Sequence, residues 1–191
     1  MTYFEDKDSF TAETVLTRAG VLEKVNASWL AQFLGLSAIA VFLPFFIHLP
    51  WLTGPIVNAI LILVLLLCGL KSALLVSCLP SLMALSGGLL PAVLAPALPF
   101  IMASNIIFVA TINWFYKRSR TDFNGYWSGV LSGAVLKFVF LFFSVNILAT
   151  FFVQTPIMPL VVKMLGWSQL VTAIAGGLIA WIILKFLKFF K

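Results

Sequence analysis

The sequence predicts an all-α fold: a polytopic membrane protein built as a six-transmembrane-helix bundle with capping outer loops. Three observations predict it. The 191 residues are 62% hydrophobic and only 9% charged, with a mean hydropathy of +1.13. Soluble domains are about 45–50% apolar and about 25% charged, and a soluble fold of this length has too little interior for the excess. The apolar residues also fall into six stretches near the about 20 residues that cross a bilayer core. Finally, basic residues gather in alternate connections between those stretches. An ordinary soluble enzyme, a disordered regulator and a cytosolic binding module are excluded. The net charge of +6, from 12 Lys and Arg against 6 Asp and Glu, therefore reads as a topology signal.

Residues 1–28 form a cytoplasmic polar tail, and residues 29–191 form the six-helix transmembrane domain. Glu5, Asp6, Asp8, Glu13 and Glu23 all lie in the tail, and only Asp122 follows them. Without a basic start or an apolar h-region, this tail does not read as a signal peptide. Val15, Ala19 and Leu22 share one helical face, which predicts a short interfacial amphipathic helix over 12–25. A loosely ordered tail is the alternative.

The spans are expected at 29–47, 55–70, 72–85, 98–116, 125–151 and 168–189. Pro80 interrupts the third, and Gly87, Gly88, Pro91, Pro96 and Pro99 follow it. The segment 72–99 thus also reads as one short span plus a re-entrant loop, with five or seven spans as alternatives. With the N-terminus in the cytoplasm, Lys71, Lys117, Arg118, Arg120, Lys185, Lys188 and Lys191 are all cytoplasmic. The outer loops then hold only His48 and Lys163. Trp29, Trp114 and Trp127 mark the inner boundary, and Trp51 and Trp167 the outer one. The outer segments 44–55, 86–99 and 154–167 are proline-punctuated and nearly uncharged. They read as caps folded over the bundle, or as interfacial loops with no ligand beneath them.

Lys137 is the most informative residue. It stands 12 positions after Gly125, roughly 18 Å along a helix. Facing lipid there it would cost about 3 kcal/mol. The membrane body contains no acid to pair with it. Dipoles, water, a bound anion or another protein must compensate, or the ammonium snorkels or bonds to helix carbonyls. Asn58, Asn105, Asn146 and Gln169, with Thr172, favour the outer half. Together with Lys137 they form a candidate substrate pocket open to the outside. Interhelical hydrogen bonding alone is the competing reading.

Small residues recur at four-residue spacing. Gly125, Gly129 and Gly133 leave a flat strip whose register Lys137 continues, facing either a neighbouring helix or a second subunit. Ala31-x-x-x-Gly35 and Ala173-x-x-x-Gly177 are two further strips, with internal packing as their default. Cys68 and Cys78 have no histidines near them, so they read as buried small hydrophobes rather than metal ligands. There are no paired carboxylates, no Walker-type loop and no haem spacing, so neither catalysis nor a cofactor is expected. Ser132 or Ser144 with Lys137 is the one conceivable serine–lysine pair, and Ser144 is two turns away.

Several segments resemble the substrate-binding S components of energy-coupling factor transporters. They are Gly-Pro-Ile-Val-Asn-Ala-Ile at 54–60, the proline-rich stretch through Pro96 and Pro99 leading to Asn105, and Thr-Ala-Ile-Ala-Gly-Gly at 172–177. The resemblance spans about residues 29–189. Ala31-x-x-x-Gly35 resembles the strip by which the first helix of those proteins docks on a coupling subunit, with glycine here in place of the second alanine. The resemblance implies a bundle in a bacterial or archaeal cytoplasmic membrane, with both termini cytoplasmic. It implies high-affinity binding of a vitamin-like small-molecule substrate from outside. The implied partners are a transmembrane coupling protein, two ATPase subunits and the lipid bilayer, with no nucleic acid. ATP hydrolysis on those partners would topple the bundle and release substrate inside. Asn58, Asn105, Lys137, Asn146 and Gln169 would form the pocket, and Ala31 and Gly35 would face the coupling protein.

Two other classes stay open. One is an autonomous small-solute transporter or channel, homo-oligomeric through the Gly125, Gly129 and Gly133 face, with Lys137 lining an anion path. The other is an accessory or assembly subunit of a membrane complex, with no ligand of its own.

Overall fold

A computed structural model describes residues 27–46, 49–88, 92–152, 162 and 165–190. The amphipathic helix expected over 12–25, together with His48 and Lys163, lies outside the described residues. The helices are α1 (Ala27–Phe46), α2 (Pro50–Cys68), α3 (Leu70–Val76), α4 (Leu79–Ser86), α5 (Leu98–Arg118), α6 (Asp122–Phe152) and α7 (Trp167–Phe186). A short 3₁₀ segment, Ala92–Ala97, leads into α5. Among the described residues there is no strand. Among the described residues, four helical stretches are long and apolar enough to cross a membrane: Trp51–Cys68, Ala95–Arg118, Asp122–Val145 and Trp167–Phe186. Two shorter apolar helical stretches, Ala27–Leu43 and Leu70–Ser86, occupy the places of the first and third expected spans.

Prolines set the helix boundaries. The segment 44–55, expected as an outer loop, is mostly helical: α1 runs to Phe46 and α2 begins at Pro50. Pro50 takes the first turn, where a missing N–H is no loss, and Pro55 forgoes one intrahelical bond. Asn58 consequently lies about two turns inside α2 rather than one. Pro80 cannot return an N–H to Val76, and the helix breaks at Ser77–Cys78 between α3 and α4. Gly69 reverses the chain between α2 and α3 at φ 90°, a conformation that a Cβ would strain. Lys71 is therefore in the first turn of α3 rather than in a loop.

α2 is the central helix. Its Ala59, Ile60, Leu61, Ile62, Leu63, Val64 and Leu65 are all buried, as expected of an element apolar all round. It packs against α1 and α7, while α5 and α6 form the most extensive helix pair. The glycine strip makes that pair possible. A Cβ at Gly129 would stand 3.0 Å from the Ile112 Cα, and one at Gly133 would stand 3.1 Å from the Phe108 carbonyl oxygen. A Cβ at Gly125 would stand 2.8 Å from the Ser119 Cβ. The strip is thus spent inside the bundle on α5, the neighbouring-helix alternative of the two. Gly177 lies against Val130 of α6, and Gly176 against Asn58 and Pro55 of α2. Ala31 and Gly35 differ from all of these. Both are exposed, and a Cβ at Gly35 would meet nothing within 4 Å.

The two ends of the bundle are chemically unlike. The indole N–H of Trp29 donates to the Cys68 carbonyl at 3.3 Å, which brings the start of α1 to the end of α2. Phe123 meets Trp181 edge-on at 6.4 Å, and the buried Tyr126 hydroxyl donates to the Gly177 carbonyl at 2.6 Å. The start of α6 therefore lies beside the latter half of α7. Lys71, Lys117, Arg118, Arg120, Asp122, Lys185 and Lys188 all fall at this end. Among the described residues they are every charged side chain but Lys137. Arg118 lies over Trp114 and Lys185 over Trp181, with cation-to-ring distances of 5.6 and 5.1 Å. Trp51 and Trp167 stand at the opposite end, where α2 and α7 begin.

Candidate functional site

Lys137 is the midpoint of α6 and is 2% exposed. Its place in the glycine register aims it at α5, so the strip that admits α5 also delivers the ammonium to it. Its Nζ donates to Asn105 Oδ1 of α5 and to Asn58 Oδ1 of α2, both at 2.8 Å. Hydrogen bonds from an ammonium are about twice as strong as neutral ones, so two neutral amides offset much of its desolvation. The Phe108 ring centroid lies 5.5 Å from Nζ, within cation–π range. Asp122, the one acid among the described residues, lies 15 positions away at the start of α6, and the compensation for Lys137 comes from amide oxygens and a ring face.

Each asparagine is itself anchored. Asn58 Nδ2 donates to the Gly54 carbonyl at 3.0 Å, and Asn105 Nδ2 donates to the Ser77 carbonyl at 3.1 Å. Ser77 stands at the break that Pro80 imposes, where a regular helix cannot use every carbonyl. These two bonds also fix the amide orientation, since each Oδ1 must then face the lysine. The result is one continuous chain of hydrogen bonds from α2 through α6 and α5 to the α3–α4 break. Asn58 and Asn105 are 3% and 4% exposed. Such a buried network holds its members rigidly, because an orphaned partner is costly.

The other expected site residues are placed differently. Asn146 lies nine residues beyond Lys137 on α6, and its side chain is outside the described residues. Gln169 is in the first turn of α7, where its carbonyl accepts from the Thr172 hydroxyl at 3.2 Å. The Ser144 hydroxyl donates to its own helix at the Phe140 carbonyl, so it is not directed to Lys137. Asn58, Asn105 and Lys137, expected around a pocket open to the outside, are brought together as a buried cluster.

An open cleft of about 560 Å³ lies elsewhere, near the ends where α2 and α7 begin. It is lined by Trp51, Phe138, Phe142, Val145, Val162, Gly166, Trp167 and Ser168. Phe138 joins the two features, because it follows Lys137 on α6 and stacks at 4.9 Å and 33° on Trp167. Its volume and apolar lining suit a small organic ligand. Sequence reasoning read Trp51 and Trp167 only as interface markers and missed Phe138 and Phe142. Their i, i+4 spacing beside Lys137 was the available signal. The Ser77 carbonyl was also missed, although the Pro80 break foretold a carbonyl in need of a donor. Compared with known protein families, curated proteins and solved structures, the chain matches none.

Proposed function

We propose that the chain is the substrate-binding subunit of an ATP-driven uptake system in a cytoplasmic membrane. It takes a small vitamin-like solute from the outer side, and the ATPases are separate chains. In this reading the chain crosses the membrane six times, with both termini and the basic end cytoplasmic. It carries out no bond chemistry itself. The observation that carries the reading is the Lys137–Asn58–Asn105 cluster at mid-helix, linked through the adjacent Phe138 to an aromatic cleft. A solute ring stacks in the cleft against Trp51, Trp167 and Phe138. Its carbonyl or carboxylate takes the donor capacity that remains on Lys137, which requires the Phe138 turn of α6 to shift on binding. The exposed Ala31 and Gly35 strip supports a partner on α1, since small residues admit a close helix approach. The internal use of the Gly125, Gly129 and Gly133 strip removes the surface on which a homo-oligomeric channel reading rested.

The test is purification of the tagged chain from native membranes in mild detergent, with co-purifying proteins identified by mass spectrometry. A transmembrane coupling protein with two ATPases is the expected result, and Gly35→Leu is expected to abolish its recovery. Recovery with an unrelated membrane complex, and no thermal stabilisation by any small solute, would instead assign an accessory role.

A further inference from the structure

The basic end carries a surface that the transport reading does not use. Lys71 opens α3, Lys117 and Arg118 close α5, Arg120 stands in the turn before α6, and Lys185 and Lys188 lie at the end of α7. All six are exposed. Asp122 is the one acid there among the described residues, and it accepts a hydrogen bond from the Tyr116 hydroxyl at 3.1 Å. Such a concentration of one sign raises the local potential and attracts an anionic partner.

The chain holds its own candidate. Five of its six acids precede α1, and Glu5, Asp6, Asp8 and Glu13 lie within nine residues that contain a single base, Lys7. The tail joins the bundle at Ala27, and the Trp29–Cys68 hydrogen bond locates that junction at the basic end, because Cys68 is three residues in sequence from Lys71. The 14 residues from Glu13 to Ala27 span at most about 45–50 Å extended, or about 21 Å as a helix. Either length reaches across the end of a small bundle. A tether of this kind holds the acids at an effective concentration in the millimolar range, so weak ion pairs suffice.

We propose that the acidic segment 5–13 docks on the basic end formed by Lys71, Lys117, Arg118, Arg120, Lys185 and Lys188. The docked tail crosses the end of the bundle where the open Ala31 and Gly35 face of α1 begins. It thereby competes with any acidic or anionic partner for the same surface. The proposal rests on charge and tether alone and stands whether or not the chain is a transport subunit.

The experiment is zero-length carbodiimide cross-linking of the full chain in nanodiscs of neutral lipid, read by peptide mass spectrometry. Cross-links from Glu5, Asp6, Asp8 or Glu13 to Lys71, Lys117, Lys185 or Lys188 are expected. Their yield should fall about tenfold near 1 M salt, where the Debye length shrinks to about 3 Å. Acylation of those four lysines should run about fivefold faster once Glu5→Gln, Asp6→Asn, Asp8→Asn and Glu13→Gln neutralise the tail. Cross-links confined to Lys7 and Lys24, or equal acylation rates in the two chains, would overturn the proposal. So would loss of the cross-links in nanodiscs rich in anionic lipid, because headgroups would then be the occupant.

Discussion

Lys137 Nζ stands 2.8 Å from Asn105 Oδ1, across an interface that the glycines of α6 open one turn at a time. The same amide, through its Nδ2, holds the Ser77 carbonyl at the α3–α4 break. One side chain thus connects a buried ammonium to a proline-induced break on another element. The consequences can be measured.

Asn105→Leu removes an acceptor from Lys137 and a donor from Ser77 together. We expect a loss of about 2–4 kcal/mol, seen as a lower midpoint in thermal unfolding in detergent. In a Lys137→Met background the same change should cost at least about 1 kcal/mol less, since the ammonium is no longer left short of an acceptor. Additive costs would show that the two residues do not act as a pair.

Gly129→Val and Gly35→Val should part company in the same assay. At Gly129 a Cβ meets the backbone of Ile112 at 3.0 Å, so α5 and α6 must separate, at a cost of about 1–3 kcal/mol. At Gly35 the space is open, and the change should stay within about 0.5 kcal/mol. A large loss at Gly35 in the isolated chain would mean that α1 packs differently from the arrangement described.

Gly176→Ala tests how α7 supports the site. The new methyl would lie 2.6 Å from the Asn58 Cβ and 2.7 Å from the Pro55 carbonyl oxygen, so α2 and α7 must part. We expect a stability loss of about 1–3 kcal/mol. Displacement of Asn58 from Lys137 should also weaken substrate affinity by about tenfold or more in a titration. Unchanged affinity would detach Asn58 from the proposed function.

Trp167→Ala separates binding from folding. Trp167 is 71% exposed, so its removal should change stability by no more than about 0.5 kcal/mol. Its stacking on Phe138 forms one wall of the cleft. Substrate affinity, followed by calorimetry, should fall about tenfold. Equal affinity in the two chains would move the ligand out of the cleft.

The membrane class was legible in the sequence because it is a property of sums: too much apolar surface and too few charges. Most helix positions were legible in part, since prolines, glycines and apolar runs act locally, although the segment 44–55 expected as a loop is mostly helical. Pro80 announced the break at Ser77–Cys78, and the charge pattern anticipated the basic end. The cost of burying Lys137 without a carboxylate followed from composition along one helix. Its partners did not. Asn58 and Asn105 are 79 and 32 positions away, and no periodicity reports which helices become neighbours. The four-residue glycine spacing likewise said that something approaches closely, but only the packed bundle decided that α5 fills that strip while Ala31 and Gly35 stay open. The physical reason is the same throughout. Local conformation and burial cost are written residue by residue, whereas the satisfaction of a buried polar group depends on contacts between segments that meet only when the whole chain has folded.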